Sequence, residues 1–199
     1  MRRVLFVLFA IVAALGAPAA TMAESSDLFE HPFSADFAAG KKLRLHVRSG
    51  DVRIVGADQN KISVELSGRN ASRSRDVSVR LTEKQGATIM RVTGGRHNEL
   101  TITIRIPRET DLYARIPFGD VEVENVVGNK DIEVHAGDLS IAVGRAEDYA
   151  HVDASVTTGD LDGTPFGESR EGFFRSFRKE GSGRYRLHAH VGAGDLSLR

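Results

Sequence analysis

The chain has 199 residues, of which 27 are basic and 27 acidic, so its formal net charge at pH 7 is zero. This balance gives no electrostatic attraction to nucleic acid or to an anionic membrane, and we expect neither as a partner. The sequence contains no cysteine, which excludes disulfides, thiol catalysis and thiolate metal sites. Its 20 glycines, with no tryptophan, suit many tight turns around an aliphatic core.

The first 23 residues have the features of a secretory signal peptide. A pair of arginines precedes an apolar run over residues 4–15, and Thr21-Met22-Ala23 follows as a small-x-Ala cleavage site. The apolar run is short for a bilayer span, and no cysteine precedes the cleavage site to carry a lipid. We therefore predict export to the periplasm or the cell surface, with Glu24 as the mature N-terminus and no transmembrane segment in the mature chain.

Residues 24–40 form a lead-in in which phenylalanine recurs at every fourth position, at Phe29, Phe33 and Phe37. This spacing is compatible with one face of a short helix or with an irregular cap. Because three phenylalanines are costly to leave in water, we predict that the segment covers the open end of the structure that follows. The alternative is that these residues form a flexible, unstructured tail.

From residue 41 onward a Gly-Asp dipeptide recurs five times within an alternation of apolar and polar residues. Each copy is a Val or Ile, two spacers, Gly-Asp, then Val or Leu. Such alternation on both sides indicates two half-buried strands that meet at a corner. Glycine permits positive φ there, and aspartate accepts hydrogen bonds from nearby amides. The predicted corner residues are Gly50, Asp51, Gly119, Asp120, Gly137, Asp138, Gly159, Asp160, Gly194 and Asp195.

The spacing of the corners predicts a stack of coils. Two successive intervals are 18 and 22 residues, which is about one coil of a solenoid. At that spacing the first interval, of 69 residues, would hold about three further coils. The last interval contains an insertion near residues 163–183. We therefore predict an all-β, single-domain β-solenoid, or β-helix-like stack of short strands, over residues 41–199.

Five features of the repeat together have the pattern of a known family: Leu-Thr-Ile-Thr-Ile-Arg-Ile-Pro-Arg (100–108), Gly-Asp-Val-Glu-Val (119–123), Gly128, Gly-Asp-Leu-Ser-Ile (137–141) and Gly-Asp-Leu-Ser-Leu (194–198). This pattern resembles the bacterial putative-adhesin family. The resemblance covers residues 41–199 and implies an exported β-solenoid domain of unknown biochemical function, with no catalytic residues to carry over.

Our primary functional interpretation is an exported, non-catalytic cell-envelope protein, an adhesin-like module that binds or scaffolds an unknown envelope protein or glycan without a cofactor. One alternative is a carbohydrate-active enzyme on a β-helix scaffold, with two corner aspartates as acid and base. Another is a periplasmic metal-binding module. Stacked aspartates could bind Ca²⁺, or His188 and His190 could hold a metal together with His46 or His135.

The insertion contains the sequence Gly-Phe-Phe-Arg-Ser-Phe-Arg-Lys at residues 172–179. Its three phenylalanines, Phe173, Phe174 and Phe177, lie among basic residues and could project as a contact for a partner or a membrane surface. In the alternative interpretation, Phe177 and one of its two neighbours cap the last coils.

Overall fold

The computed structural model describes residues 23–26, 28, 32–69, 77–94 and 100–199. Apart from Ala23, the predicted signal peptide lies outside the described residues. The described chain is almost entirely β-strand, with single-turn 3-10 helices at Ala146–Asp148 and Thr164–Phe166. The prediction of an all-β chain is confirmed.

Eighteen strands occur in the described part of the chain. They are β1 Ala23–Ser26, β2 Phe33–Asp36, β3 Lys42–Val47, β4 Asp51–Ala57, β5 Lys61–Ser67, β6 Ser78–Lys84, β7 Ala87–Thr93, β8 Thr101–Pro107, β9 Asp111–Phe118, β10 Val121–Glu124, β11 Lys130–Ala136, β12 Leu139–Ile141, β13 Tyr149–Thr158, β14 Leu161–Gly163, β15 Glu168–Arg170, β16 Phe173–Glu180, β17 Tyr185–Ala193 and β18 Leu196–Leu198.

These strands form two nine-stranded sheets. Sheet A has the order β1-β6-β7-β3-β9-β11-β17-β13-β16, and sheet B has the order β15-β14-β18-β12-β10-β4-β8-β5-β2. The middle of each sheet, from β7 to β13 in sheet A and from β14 to β8 in sheet B, is parallel. Antiparallel strands close both ends of each sheet.

A coil in this structure is one strand of sheet A joined through a corner to one strand of sheet B. The coils stack in the order β7–β8, β3–β4, β9–β10, β11–β12, β17–β18 and β13–β14. The first coil of the chain therefore lies between the second and the third, and the last lies between the fourth and the fifth. The stack is solenoid-like in its repeating unit, but the coils do not follow one another in chain order.

The interval between the first two Gly-Asp corners holds one further coil, β7–β8, where we expected about three. Its other strands turn back on themselves: β5 pairs antiparallel with β8, and β6 pairs antiparallel with β7. The C-terminal insertion behaves in the same way, since β15 and β16 run antiparallel to β14 and β13. Both excursions add edge strands to the two sheets.

The lead-in contains strands, and the possible helix through Phe33 and Phe37 is wrong. Phe33 begins β2, which pairs antiparallel with β5, and both phenylalanines are buried. Residues four apart share a face in a strand as well as in a helix, so the spacing alone could not separate the two. Phe29 lies outside the described residues.

The core lies between the two sheets and is built from rows of aliphatic side chains at matching positions of successive coils. The apolar residues two positions before each corner Val or Ile are all buried and form one row across sheet A: Leu45, Ala114, Ile132, Ala189 and Ala154. The residues that follow the corners form a second buried row across sheet B: Val52, Val121, Leu139, Leu196 and Leu161. Each fully buried Val, Leu or Ile side chain in these rows stabilises the folded state by about 1.5–3 kcal/mol relative to leaving it exposed.

The glycines of the Gly-Asp corners stand directly over one another. Their φ angles run from +111° at Gly50 to +133° at Gly159. A Cβ on Gly137 would lie 2.3 Å from the carbonyl oxygen of Gly119, and a Cβ on Gly194 would lie 2.3 Å from that of Gly137. Only a residue without a side chain allows the coils to approach this closely.

We expect Gly137→Ala to lower the free energy of unfolding by about 2–5 kcal/mol, because it adds a backbone clash to an unfavourable φ. Gly144→Ala is the matched control, since its φ is +74° but its Cβ would meet no atom within 4 Å. Its cost should be about 1 kcal/mol. Urea unfolding of both variants measures the difference, and equal losses would contradict the close-approach explanation.

Candidate functional site

The five Gly-Asp corners form one column along an edge of the molecule. From one coil to the next the order is Gly50, Gly119, Gly137, Gly194 and Gly159. The residue after each of the first four Gly-Asp pairs in this order donates its N–H to the aspartate carbonyl of the next coil, as Val52 does to Asp120 at 2.8 Å and Val121 to Asp138 at 2.8 Å. These bonds fix the register of the two sheets at the corner.

The corner aspartates form a ladder of side-chain hydrogen bonds. Asp120 Oδ1 accepts the N–H of Asp138 at 2.9 Å, and Asp138 Oδ1 accepts the N–H of Asp195 at 2.9 Å. Asp195 continues the pattern to Asp160 at 2.9 Å, while Asp51 accepts from Asp120 at 3.4 Å. Each of these four carboxylates therefore accepts a backbone amide of the neighbouring coil and not an amide of its own turn.

The three phenylalanines of the insertion have different environments. Phe177 is only 4% exposed; it packs beside Phe166, with ring centroids 6.2 Å apart, and over Gly163, where a Cβ would come within 2.6 Å of the ring. Phe173 and Phe174 are 68% and 82% exposed. Phe177 thus caps the β13–β14 coil at the end of the stack. Of the three phenylalanines predicted as a partner contact, Phe173 and Phe174 are the exposed ones.

A further exposed ring, Phe118, was missed by the sequence analysis. It occupies the position before a corner glycine and is 58% exposed. The other corners carry Ser, Ala or Thr at this position, so an aromatic spacer was the available signal. We use the name corner edge for a row of residues that lie side by side on successive strands. It consists of Phe118, Ala136, Ala193 and Thr158, each of which precedes a corner glycine, and of Phe173, which pairs with Thr158, together with its neighbour Phe174.

The histidines proposed as metal ligands are not brought together as a set. His190 Nδ1 lies 2.9 Å from Ser155 Oγ, whereas His188 Nδ1 lies 3.0 Å from Asp131 Oδ1. Within the described residues, the group of three ligand-type side chains that lie within 4.8 Å of one another is Asp131, Glu133 and His188. His46, His135 and His190 are absent from that group.

Arg115 occupies the centre of the Asp131–Glu133–His188 cluster. Its Nη2 lies 2.8 Å from Asp131 Oδ1 and 2.9 Å from Glu133 Oε1. A cation would have to displace this guanidinium from both carboxylates. The geometry of this cluster is therefore that of an ion-pair network on the sheet surface.

One lysine lies inside the core. Lys130 is 2% exposed, and its Nζ donates to the Tyr149 hydroxyl at 2.8 Å and to the Gly128 carbonyl at 3.3 Å. Burial lowers the pKa of Lys130 to about 8, against an opposing effect of the Asp111 and Asp148 charges. Burial also raises the pKa of Tyr149, whose hydroxyl donates to the Val143 carbonyl at 3.1 Å.

The Toastrack DUF4097 family model matches residues 40–164, which is more than half of the chain. The chain belongs to the Toastrack DUF4097 family. The matched residues include four of the five Gly-Asp corners, and the last coil lies beyond them. No curated protein matches the chain in sequence.

The fold is similar to that of a putative cell adhesion protein from Clostridium sporogenes ATCC 15579. The two share 12% sequence identity and a TM-score of 0.51, over 84% of this chain and 97% of that one. A putative adhesin from Bacteroides fragilis NCTC 9343 is covered to the same extents at 9% identity, with a TM-score of 0.31. The resemblance to the putative-adhesin family is confirmed at the level of family and fold.

Among the described residues of this Toastrack chain, no helix has the length and apolar character needed to cross a membrane.

The aspartate ladder predicts different effects for two substitutions of Asp138. Asp138→Ala should lower the free energy of unfolding by about 1 kcal/mol, because the amide of Asp195 loses its acceptor. Asp138→Asn keeps an acceptor oxygen and should change stability by less than about 0.5 kcal/mol. Melting temperatures in chelator and in millimolar calcium should agree for the wild type. If calcium raises the melting temperature of the wild type and both variants abolish that rise, the corner aspartates form a cation site and not a hydrogen-bond ladder.

Lys130 predicts a rise of stability with pH. The folded chain releases the amine proton near pH 8, whereas the unfolded chain holds it to about pH 10.5. The cost of burying the charge is therefore fully present below pH 8 and diminishes as the pH rises through this window. Lys130→Met should remove that rise and stabilise the protein at pH 7 by up to about 3 kcal/mol.

Unfolding in urea at pH 7, 8, 9 and 10 measures this effect for wild type and Lys130→Met. Lys42→Met, which changes an exposed lysine on β3, two strands away in sheet A, is the control and should keep the wild-type slope. A constant difference between Lys130→Met and wild type at all four pH values would contradict the prediction.

Proposed function

We propose that this protein is an exported, non-catalytic module of the cell envelope that binds or scaffolds an envelope glycan or protein through its corner edge. The observation that carries the proposal is the exposure of Phe118, Phe173 and Phe174 along that edge. Large apolar side chains that are grouped on a solvent-exposed protein surface are typical of interaction sites.

The geometry of the exposed rings supports a built contact. Phe118 and Phe173 lie in the same register row, separated by four strand spacings, or about 19 Å. Between them lie only small side chains, so the edge is flat. Phe174 has a φ of +52°, a conformation that costs an aromatic residue about 1 kcal/mol or more. Such strain next to an exposed ring favours a functional explanation.

The corner carboxylates favour binding over catalysis. A glycosidase needs one carboxylic acid and one carboxylate that are free to exchange protons with substrate. Here Asp120, Asp138 and Asp195 each accept a backbone amide of the next coil. Their arrangement serves the register of the stack. The putative adhesion protein from Clostridium sporogenes supports a binding role by analogy of fold.

Export is the remaining part of the proposal. It rests on the basic and apolar segments of residues 1–23 and the small-x-Ala sequence that ends them. We place the mature protein in the periplasm or at the cell surface. A chain without cysteine is suited to an oxidising compartment, where its stability comes from burial and backbone pairing.

The test is a binding screen of the purified protein against peptidoglycan, surface polysaccharide and membrane-protein fractions of the source organism. We expect one fraction to retain the wild type and Phe173→Ser/Phe174→Ser to bind it at least about tenfold more weakly, since two exposed anchors are lost. Val127→Ser is the control, because Val127 is exposed away from the corner edge. Unchanged binding by the double variant would refute the role of this edge.

A further inference from the structure

The outer face of sheet A carries a shallow groove beside the corner edge. Its lining comes from five strands, β7, β3, β9, β11 and β17, and includes His46, Arg48, Arg91 and Arg115. His46, Arg91 and Arg115 occupy outward positions of strands whose alternate residues fill the core. Their side chains are therefore not required for packing between the sheets.

Positive charge in this region is only partly compensated. Arg115 pairs with Asp131 and Glu133 on β11. Arg48 and Arg91, by contrast, are exposed and form no ion pair with any residue that the structure describes, and the same is true of Arg44 on β3. Three uncompensated guanidiniums thus lie over β7, β3 and the turn that follows β3, and the carboxylate of Glu133 bounds them on the β11 side.

His46 marks the point where these charges act together. It is half-buried, and its ring lies 6.4 Å from that of Tyr113 in an edge-to-face arrangement. Burial is the first cause that lowers the pKa of His46, and the charges of Arg91, Arg115 and Arg44 lower it further. Guanidiniums from three different strands therefore raise the electrostatic potential at one imidazole, as an anion-binding site requires.

Tyr113 adds a rigid surface beside the groove. The guanidinium carbon of Arg115 lies 3.7 Å from the centroid of the Tyr113 ring, and that of Arg44 lies 5.7 Å from it. Stacking on the ring holds these two arginines near His46 without using their hydrogen-bond donors. The donors of Arg44 stay available to a ligand.

We propose that this groove binds the acidic group of a sugar in an envelope polysaccharide, with Arg48 and Arg91 as the residues that contact its carboxylate or sulfate. The proposal rests on the binding function proposed above and names the chemistry of the ligand. Both acidic groups fit the planar fork of arginine, which donates two parallel hydrogen bonds to neighbouring oxygens.

The extent of the groove favours a saccharide over a nucleic acid. The uncompensated arginines lie on the adjacent strands β7 and β3 and on the turn after β3, one strand spacing or about 5 Å apart across the sheet, and Glu133 ends the basic region. This length suits one or two acidic groups and not a track of phosphates. The groove opens toward the corner edge, where His135 packs edge-to-face on Phe118 at 6.2 Å. A sugar chain that leaves the groove there would cross an exposed aromatic ring, a surface typical of ligand sites.

Calorimetry at low salt tests the proposal with two acidic probes, oligogalacturonate for carboxylates and heparin oligosaccharide for sulfates, and with neutral dextran oligosaccharide for comparison. We expect at least one acidic probe to bind and dextran not to bind. Arg91→Gln and Arg48→Gln should each weaken binding about tenfold, the effect of one charge-assisted hydrogen bond. Arg105→Gln removes the same charge from the exposed outer face of sheet B and should change affinity less than about twofold.

A second readout is the titration of the His46 ring, followed by NMR. An anion in the groove stabilises the imidazolium, so the pKa of His46 should rise when the acidic probe is bound. Arg91→Gln and Arg105→Gln should separate here as well, because only the former residue acts on His46. Binding of one acidic probe and not the other supports the proposal and identifies the acidic group.

Three results would contradict the proposal that the groove binds an acidic sugar. They are no binding of either acidic probe, equal weakening of binding by Arg91→Gln and Arg105→Gln, and binding that leaves the His46 titration unchanged. The Phe173→Ser/Phe174→Ser variant separates this failure from failure of the proposed function. If that variant loses an envelope ligand while no acidic probe binds, the corner edge stands and the groove is wrong. If acidic probes bind but no envelope fraction does, the proposed function is wrong.

Discussion

The close approach of backbones at the glycine corners is the constraint on which the rest of the structure depends. Four of the five corner glycines lie against the carbonyl of the corner glycine in the adjacent coil, at a distance that excludes a Cβ. The following aspartate then accepts the amide of the aspartate beside it. Because both contacts involve defined atoms of adjacent coils, they set the register of two sheets at once. The inward side chains of each coil consequently lie beside those at the matching register positions of the neighbouring coil.

This register divides the residues of each strand by role. Inward positions form mostly aliphatic rows, and the buried charge among them is informative: Lys130 lies in a row with Leu43, Leu112, Leu187 and Val152. It is accommodated through the Tyr149 hydroxyl, at a cost in stability that depends on its charge. Outward positions, and the positions just before the corner glycines, have no such packing requirement. The exposed phenylalanines and the arginines around His46 lie at these positions, where substitution leaves the core intact.

The sequence predicted the corners and the buried rows because both signals are local: a period of two residues and a Gly-Asp pair. The order of the coils was beyond it for a physical reason. All coils present the same apolar rows and the same corner, so the β17–β18 coil fits between β11–β12 and β13–β14 as well as it would at the end. The sequence left Phe177 open between a cap and a projecting contact, since the choice follows from the antiparallel register that places Phe177 opposite Ala154 and Phe173 opposite Thr158.

A net charge of zero is a property of the whole chain, and the fold separates the charges that compose it. The parallel register collects Arg44, His46 and Arg91 over β3 and β7, and collects Asp131 and Glu133 over β11. Arg115 lies between the two regions and is paired with the acidic one. The net charge of the chain argues against long-range attraction to a polyanion, because that attraction depends on the summed charge. Recognition of a single acidic group depends instead on charges within about one Debye length of it, about 8–10 Å, and that arrangement exists only once the strands have paired.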